Sequence, residues 1–379
     1  MTVRVALVAG LTLAGCGGGS GTDDPIIPQV PTPHATGPSE TPDPIATPMS
    51  TPTPQSTAAS VTLVAVGCGP TTTEIPAECP PGVVARSDDG GRTWTTSRIE
   101  GVRFSDIEFI DARRGWATAN GDLLETTDGG VTWQSRLDRV PREIAEPVAQ
   151  LPFFEAVSFA DDDHGIVAGY TGPFGFILTA FILTTDDGGA TWRVSYTQEN
   201  SSINSACLTR GGFGVTDGRP TRVTNDWGAT WRTVDDPLRG AAGARVGCSG
   251  ERDLWMVTVY PFLAHSADGG LTWTDESASL PGEGNGLRAR ITFADETLGA
   301  ITWSDRDIVL TRDGGRTWTR HAILDAPVPF DDAAIIDERN VVALTWGTAG
   351  VTEDGGESWN VFPMTPGEFT RFADVDVAR

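Results

Sequence analysis

An eight-residue motif occurs seven times in this chain and constrains its possible folds more than any other feature. The motif reads Ser/Thr-x-Asp-x-Gly-x-Thr/Ser-Trp, and all seven copies fill every fixed position. The copies are residues 87–94, 126–133, 185–192, 224–231, 266–273, 311–318 and 352–359. Successive copies begin 39 to 59 residues apart, close to the length of one four-stranded propeller blade. The repeat therefore predicts seven similar β units rather than two or three unrelated domains.

The chemistry of this motif, called the box below, indicates a tight turn between two strands. A carboxylate at its third position can accept hydrogen bonds from nearby backbone N–H groups. Glycine at the fifth position permits positive φ, and tryptophan at the eighth buries a large ring beneath the turn. The box aspartates are Asp89, Asp128, Asp187, Asp226, Asp268, Asp313 and Asp354. The box tryptophans are Trp94, Trp133, Trp192, Trp231, Trp273, Trp318 and Trp359. We interpret both sets as structural.

A second pattern precedes most boxes. Residues 107–111, Ile-Glu-Phe-Ile-Asp, are followed by residues 115–118, Gly-Trp-Ala-Thr, and similar pairs recur further along the chain. Each blade is therefore predicted to run as inner strand, Asp turn, second strand, loop, third strand, box and outer strand. The fold class is all-β, a seven-bladed β-propeller of four-stranded blades. The acidic run 161–163 could bind calcium, but its position in an Asp turn favours a solvated turn.

The two ends of the repeat region complement each other. Residues 61–66 match a second strand with no inner strand before them, and residues 372–378 resemble an inner strand with no blade of their own. We predict that this C-terminal strand completes the first blade. Closure would cover sheet edges that otherwise pair with other chains, so a monomeric ring is expected.

The boxes and the Gly-Trp-Ala strands resemble the BNR/Asp-box propeller superfamily, and in particular the photosystem II stability/assembly factor-like group. The resemblance covers residues 61–379. It implies a protein-binding or assembly module without catalytic activity, because photosynthetic members of that group assist membrane-complex assembly by binding a partner protein. Those members resemble binders that use a basic patch, from which this acidic chain departs. Fold likeness alone is weak support for function, since enzymes and non-enzymes share these boxes.

The first sixty residues have the features of an export signal followed by a tether. A short apolar run, residues 5–13, precedes Leu-Ala-Gly-Cys, which resembles the lipobox of bacterial lipoproteins. The resemblance implies a signal peptide over residues 1–15 and lipidation of Cys16; an ordinary secretory signal with an incidental cysteine is the alternative. Residues 16–60 are rich in Gly, Thr and Pro and predict a disordered tether. The domain at 61–379 would then be exported and lipid-anchored to the bacterial cell envelope, on the outer face of a membrane or in the periplasm.

The charge of the chain limits its partners. There are 51 acidic residues against 27 basic ones, all of them Arg, which gives a net charge of -24 and a pI near 4.4. Such a field repels nucleic acid and anionic membrane surfaces. We therefore expect no nucleic-acid partner, and attachment to a membrane only through the lipid anchor.

Four further cysteines are an even number in an exported chain, which favours disulfides over metal sites. Cys68 and Cys79 bracket a Pro/Thr-rich loop and are predicted to close it. Cys207 and Cys248 are assigned to the position of Phe109 in successive inner strands, which suggests an inter-blade disulfide; two buried free thiols are the alternative. The four His residues are scattered. No metal and no cofactor are expected.

An enzyme of the glycoside hydrolase class is the competing hypothesis. A sialidase-like site would need three Arg residues for the substrate carboxylate, a Tyr–Glu nucleophile pair and an acidic Asp. The Arg-Ile-Pro signature of that family is absent from the sequence, and only three tyrosines are present. A glucan-cleaving enzyme would need two facing carboxylates, which 51 acidic residues leave undetermined.

Binding is predicted on the face opposite the boxes, where loops depart from the repeat. Aromatic and Arg side chains on such loops suit recognition of a protein, or alternatively a glycan. The candidates are Arg139, Arg142, Tyr170, Phe174, Tyr196, Arg219, Tyr260 and Arg306. The alternative for the inserted segment is that Phe174 and Phe176 only pack their own loop.

Overall fold

The structure is a computed structural model. It describes residues 61–69, 82–145, 152–172, 178–235, 237, 244–258, 262–282, 289–303, 307–323, 330–345, 347–364 and 371–378. All of these belong to one compact unit, Thr57–Arg379. The predicted signal peptide, Cys16 and the tether lie outside the described residues.

Seven four-stranded antiparallel sheets form the blades of a closed propeller. The innermost strands of blades 1 to 7 are β28 (Arg371–Ala378), β4 (Phe104–Phe109), β8 (Pro152–Phe159), β12 (Ala206–Leu208), β16 (Arg245–Ser249), β20 (Ala289–Phe293) and β24 (Phe330–Ile335). The second strands are β1 (Thr62–Cys68), β5 (Gly115–Ala119), β9 (Gly165–Thr171), β13 (Gly214–Thr216), β17 (Asp253–Val257), β21 (Gly299–Trp303) and β25 (Val341–Thr345). The third strands are β2 (Gly82–Ser87), β6 (Asp122–Thr126), β10 (Thr179–Thr185), β14 (Arg222–Thr224), β18 (Leu263–Ser266), β22 (Asp307–Thr311) and β26 (Thr348–Thr352). The outer strands are β3 (Thr95–Ile99), β7 (Gln134–Ser135), β11 (Arg193–Glu199), β15 (Arg232–Thr233), β19 (Thr274–Asp275), β23 (Thr319–Ala322) and β27 (Asn360–Pro363).

Helical structure is confined to loops. The helix α1 (Arg142–Ala145) and 3₁₀ turns at Leu137–Arg139 and Ser277–Ser279 follow short outer strands. Among the described residues, none of these helices has the length and apolar character needed to cross a membrane.

The C-terminal strand closes the ring as predicted. β28 pairs antiparallel with β1 from Thr62↔Ala378 to Cys68↔Arg371, so blade 1 has the order β28-β1-β2-β3. β28 also contacts the inner strands of blades 2 and 7. Strands from both ends of the propeller domain therefore complete one blade.

Each box forms the turn between the third and fourth strands of its blade. In the first box, Asp89 Oδ1 accepts a hydrogen bond from the Thr93 backbone N–H at 2.9 Å, and Oδ2 accepts one from the Thr93 hydroxyl at 2.6 Å. The Ser87 hydroxyl donates to Asp89 and accepts from the N–H of Gly91 at 2.8 Å. The same four bonds recur in the other six boxes. One hydroxyl and one carboxylate thus accept hydrogen bonds from backbone N–H groups of the turn, which have no partner in a neighbouring strand.

The fifth residue of the box must be glycine for two reasons. Gly189 has a φ of 82°, and a Cβ built on it would lie 2.3 Å from the indole of Trp116 in the preceding blade. Gly315 has a φ of 80° and meets Trp255 of its preceding blade in the same way. The box therefore lies against the neighbouring blade as well as closing its own turn.

The hydrophobic core lies between blades and not within them. The buried residues of the described chain form seven clusters, one at each blade junction. At the junction of blades 2 and 3, for example, Trp116 and Leu123 pack with Val157 and Phe181. Both faces of a blade are buried in this way, which explains continuous apolar runs within a strand, such as residues 180–183 of β10.

A disulfide between Cys207 and Cys248 joins the inner strands of blades 4 and 5. The strand pairing places Cys248 at the position of Phe109, as predicted, but Cys207 one residue earlier, level with Glu108. Leu208 holds the position assigned to Cys207. Side chains at the Glu108 position reach the next blade, and this geometry brings the two sulfurs together. Cys68 is also disulfide-bonded; its predicted partner, Cys79, lies outside the described residues.

Removal of residues 369–379 should abolish cooperative unfolding. The deletion takes away the inner strand of blade 1 and exposes the apolar faces that Phe372, Val375 and Val377 cover. Thermal unfolding followed by circular dichroism should lose its single sharp transition. Removal of residues 1–56 is the control and should leave the transition in place. A melting curve unchanged by the C-terminal deletion would refute closure by β28.

Replacement of both Cys207 and Cys248 by Ser should lower the free energy of unfolding by about 4 kcal/mol, because the disulfide closes a loop of 41 residues in the unfolded chain. Urea unfolding of the double variant measures this loss. Ser205→Ala, which removes only one inter-blade hydrogen bond, should cost about 1 kcal/mol. Equal losses in the two variants would contradict the assignment.

Candidate functional site at the mouth of the central channel

The inner strands turn one edge toward the central channel, and side chains of the preceding blade bond the N–H groups on that edge. Asp374 and Asp376 of β28 accept hydrogen bonds from the N–H groups of Ile107 and Phe109 at 3.0 and 2.6 Å. Asp106 and Glu108 bond the next inner strand, β8, in the same way, both at 3.0 Å. Ser158 continues the pattern to β12, and Ser205 continues it to β16, both at 3.1 Å. Hydrogen bonds from side chains thus complete the pairing of these edge strands.

Three of the channel carboxyl groups surround one guanidinium. Asp374 shares hydrogen bonds with Asp106 and with Asp332 of β24. Arg290 Nη1 lies 3.7 Å from Asp374 Oδ1, and Arg290 Nε lies 3.9 Å from Asp332 Oδ2. A hydrogen bond between two carboxyl groups requires that one of them carries a proton. The cluster therefore favours protonation of at least one of its carboxyl groups.

The pKa shifts in this cluster assign those protons. Burial, followed by repulsion from Asp374, raises the pKa values of Asp106 and Asp332 well above their ordinary range. Burial also opposes ionisation of Asp374, but its hydrogen bonds from the other two carboxyl groups and the charge of Arg290 lower its pKa. Ionisation is thus favoured at Asp374 and opposed at Asp106 and Asp332. Burial and the nearby Asp376 likewise raise the pKa of Glu108.

Above this cluster, at the end of the channel away from the boxes, lies a small polar cavity of about 80 Å³. Three arginines line it: Arg103, which precedes β4; Arg245, which begins β16; and Arg290 of β20. Glu155 and Asn204 are among its other lining residues. We call this cavity the mouth.

The charges at the mouth are partly balanced. Glu155 forms hydrogen bonds with Ser105 and Tyr170 and faces Arg103 and Arg245; burial raises its pKa. Arg245 Nη1 lies 3.7 Å from the carboxylate of Asp217. Burial and the nearby positive charge of Arg290 lower the pKa of Arg245. Two guanidinium groups that repel each other in a polar cavity make an anionic or polar ligand group favourable there.

Of the binding candidates identified in the sequence, Tyr170 reaches the edge of this site. It is 6% exposed, stacks on Phe153 with ring centroids 5.1 Å apart, and bonds Glu155. Burial and the charge of Glu155 raise its pKa to about 12. Arg219 and Arg142 are exposed on loops. Phe174, Tyr260 and Arg306 lie outside the described residues.

Two other candidates serve blade junctions and not the mouth. Arg139 is bonded to the buried Glu125 at 3.2 Å and to the carbonyl oxygen of Gly189, in the box of blade 3, at 3.1 Å. The expectation that Arg139 faces the loop side is wrong, because the inserted segment folds back between blades 2 and 3. Tyr196 accepts a hydrogen bond from Arg222 Nε at 2.7 Å, across the junction of blades 3 and 4.

Sequence reasoning missed the residues that form the mouth: Arg103, Glu155, Arg245, Arg290 and the carboxyl groups beneath them. The available signal was charge in strands that the repeat predicts to be buried, as in Ser105-Asp106-Ile107-Glu108. That signal identifies a strand with buried charges, but it does not predict which charged side chains from different blades lie close together.

A larger open depression, of about 450 Å³, lies on the box side between blades 6 and 7. Its charged groups already bond the backbone. Arg312 bonds the carbonyl oxygens of Glu338 and Gly355, and Arg339 bonds that of Glu353 at 3.1 Å. His321 bonds the carbonyl oxygen of Gly356 at 2.7 Å. We interpret this depression as a junction between blades.

No metal site is present in the part of the chain that the structure describes. In the acidic run 161–163, Asp161 Oδ1 accepts the N–H groups of Asp163 and His164 at 2.9 and 2.7 Å. Its carboxylate closes the turn.

Fold and site together define a seven-bladed propeller with a small polar mouth at one end of its channel. A family model described as "Photosynthesis system II assembly factor YCF48" matches residues 93–199. The resemblance stated from the boxes is confirmed over these residues.

The chain is also similar to individual proteins. It is 28% identical over 163 residues to the photosystem II assembly lipoprotein Ycf48 of Synechococcus sp. strain CC9902, covering 42% of this chain and 48% of that protein. The chain thus aligns with about half the length of this curated relative. The solved structure "YCF48 bound to D1 peptide" matches with a TM-score of 0.50 and 20% identity, over 68% of this chain and 81% of that one. YCF48 from Cyanidioschyzon merolae matches with a TM-score of 0.49 and 22% identity, over 69% and 85%.

The channel carboxyl groups should make the protein less stable as pH rises above about 4. A carboxyl group whose pKa is raised in the folded state binds more protons there than in the unfolded chain. Its stabilisation is complete below the unfolded pKa near 4 and is lost as pH rises through the folded value. The urea midpoint should therefore fall as pH rises above about 4, and Asp106→Asn should flatten that fall.

Asp162→Asn, in an exposed turn, is the control and should keep the wild-type pH dependence. An Asp106→Asn variant with the wild-type slope would show that Asp106 is ionised in the folded protein.

Proposed function

We propose that this chain is a lipid-anchored, non-catalytic propeller that binds a segment of a membrane protein at the mouth of its channel and so assists assembly of a membrane complex. The observation that carries the proposal is the mouth itself. Its volume of about 80 Å³ suits one side chain, whereas small-molecule sites usually measure about 300–1,000 Å³. A protein segment could insert one polar or acidic side chain there and spread over the surrounding loops.

The comparisons support this proposal. The curated relative is named an assembly lipoprotein, and the solved propeller with a TM-score of 0.50 holds a peptide of D1. The Leu-Ala-Gly-Cys sequence before the tether gives this chain the same kind of attachment, through Cys16. Residues 16–60, rich in Gly, Thr and Pro, have the composition of a tether that would connect this anchor to the propeller.

A glycosidase of the sialidase type is the second candidate, because one observation favours it. Three arginines line the mouth, and a Tyr170–Glu155 hydrogen bond lies beside them. These are the three arginines and the Tyr–Glu pair that a sialidase-like site requires in addition to an acidic Asp. Against it, Tyr170 is 6% exposed and its pKa is raised to about 12, whereas a nucleophilic tyrosine needs an accessible and readily ionised hydroxyl. The cavity is also small for a sugar ring.

Site-specific photocrosslinking tests the proposed binding role. A photoreactive residue in place of the exposed Arg103, in the full lipidated chain in native membranes, should crosslink to an extracytoplasmic segment of a membrane protein. Arg103→Gln should reduce co-purification of that protein at least fivefold, because the substitution removes the exposed one of the three guanidinium charges that line the cavity. Arg92→Gln, on the box side, is the matched control and should retain it.

A fluorogenic sialoside distinguishes the second candidate. We expect no turnover by the purified chain. Turnover that Tyr170→Phe abolishes, together with no crosslinked partner at position 103, would replace the binding proposal by the enzymatic one.

A further inference from the structure

The box of blade 4 carries a tryptophan where the other six boxes have glycine. At the fourth position of those boxes φ lies between 66° and 79° for Gly90, Gly129, Gly188, Gly269, Gly314 and Gly355. Trp227 occupies the same position with a φ of 53°. A large side chain in the left-handed region costs free energy that glycine would avoid. This position therefore holds an indole despite its unfavourable backbone conformation.

The hydrogen bonds of the box do not explain why a tryptophan occupies this position. The hydrogen bonds of Asp226 in this box have the same lengths as in the others, with the Thr230 N–H at 2.9 Å and its hydroxyl at 2.6 Å. Trp227 is absent from the buried clusters of the described residues, and 39% of it is exposed. The indole thus serves neither the turn nor a blade junction core.

Neighbouring turns fix the position of the indole. The ring of His164, in the Asp turn of blade 3, lies 5.1 Å from it, centroid to centroid, at 31°. On the blade 4 side, Gly212 packs against it, and a Cβ built on Gly212 would come within 2.7 Å of the indole. The backbone N–H of Trp227 also donates a hydrogen bond to the Gly212 carbonyl oxygen at 3.0 Å. Two aromatic rings are held side by side on the box face.

Negative charge dominates the flanking turns. Asp161, Asp162 and Asp163 are exposed in the turn that carries His164, and Asp161 bonds the His164 ring at 2.9 Å. Arg210, in the turn of Gly212, is exposed on the other flank. The whole chain carries a net charge of -24. An indole beside carboxylates attracts a cation, and a planar guanidinium stacks on an indole better than an ammonium group does.

We propose that Trp227 and His164 form an aromatic platform that binds an arginine side chain of a partner protein on the box face. This site is separate from the mouth, because boxes and mouth lie at opposite ends of the strands. The propeller could then hold two protein segments at once, one at each end of its channel. Trp227 lies outside the segment matched by the family model, residues 93–199, whereas His164 lies within it.

Binding of short defined peptides to the full chain tests the proposal. The probe is a capped arginine-glycine peptide, compared with the same peptide carrying citrulline, which keeps the shape of arginine but not its charge. We expect the arginine peptide to shift the indole N–H resonance of Trp227 and to bind at least tenfold more tightly than the citrulline peptide. Added salt should weaken the binding.

Trp227→Gly is the sharpest variant, because it restores the glycine of the other boxes. It should lose peptide binding at least tenfold while its melting temperature stays the same or rises. Leu271→Ala, which truncates another exposed apolar residue on a box turn, is the matched control and should bind normally. Asp162→Asn with Asp163→Asn should weaken binding and reduce its salt dependence.

Three results would overturn the proposal: equal binding of the citrulline peptide, full binding by Trp227→Gly, or no binding of the arginine peptide at millimolar concentration. A lower melting temperature for Trp227→Gly with binding retained would assign the indole to packing. Arg103→Gln should leave this binding unchanged, so the platform and the mouth are tested independently.

Discussion

No blade of this protein buries its own apolar faces, and the rest of the structure depends on that constraint. A four-stranded sheet such as β4-β5-β6-β7 presents apolar residues on both faces, and each face is covered only by a neighbouring blade. An open row of seven blades would leave two faces exposed to water. The ring must therefore close, and β28 achieves this by completing blade 1 from the far end of the propeller domain.

The two ends of the channel satisfy this constraint by different means. At the box end, one repeated turn closes each hairpin and places a glycine against the preceding blade. Toward the mouth end, individual side chains bond the neighbouring blade: carboxylates at some junctions and the Ser205 hydroxyl at another. This difference places the candidate binding site at the mouth, and it makes Trp227 notable as a departure within the repeated end.

The buried carboxyl cluster connects stability to the candidate site. Asp374 lies on the closing strand, accepts a hydrogen bond from the N–H of Ile107, and is close enough to Asp106 and Asp332 to form hydrogen bonds with them. Arg290 contacts this cluster and also lines the mouth. The charge available to a ligand at the mouth therefore depends on the protonation of the carboxyl groups that close the ring. A group bound near Arg290 would alter the same balance.

Sequence alone determined what depends on neighbours along the chain. The box residues lie within eight positions of one another, so their hydrogen bonds, the blade count, the strand order and the partnership of the first and last strands could all be predicted. The inter-blade pairing of Cys207 with Cys248 could be anticipated because the repeat aligns successive inner strands, although the strand register places Cys207 one residue earlier than predicted. Tertiary structure decided what depends on side chains from different blades. Arg103, Glu155, Arg245 and Arg290 come from four blades, and only ring closure and strand register bring them together. Arg139 is an example of the second kind. The sequence placed it on a loop face, but in the structure it bonds the buried carboxylate of Glu125 at the junction of blades 2 and 3.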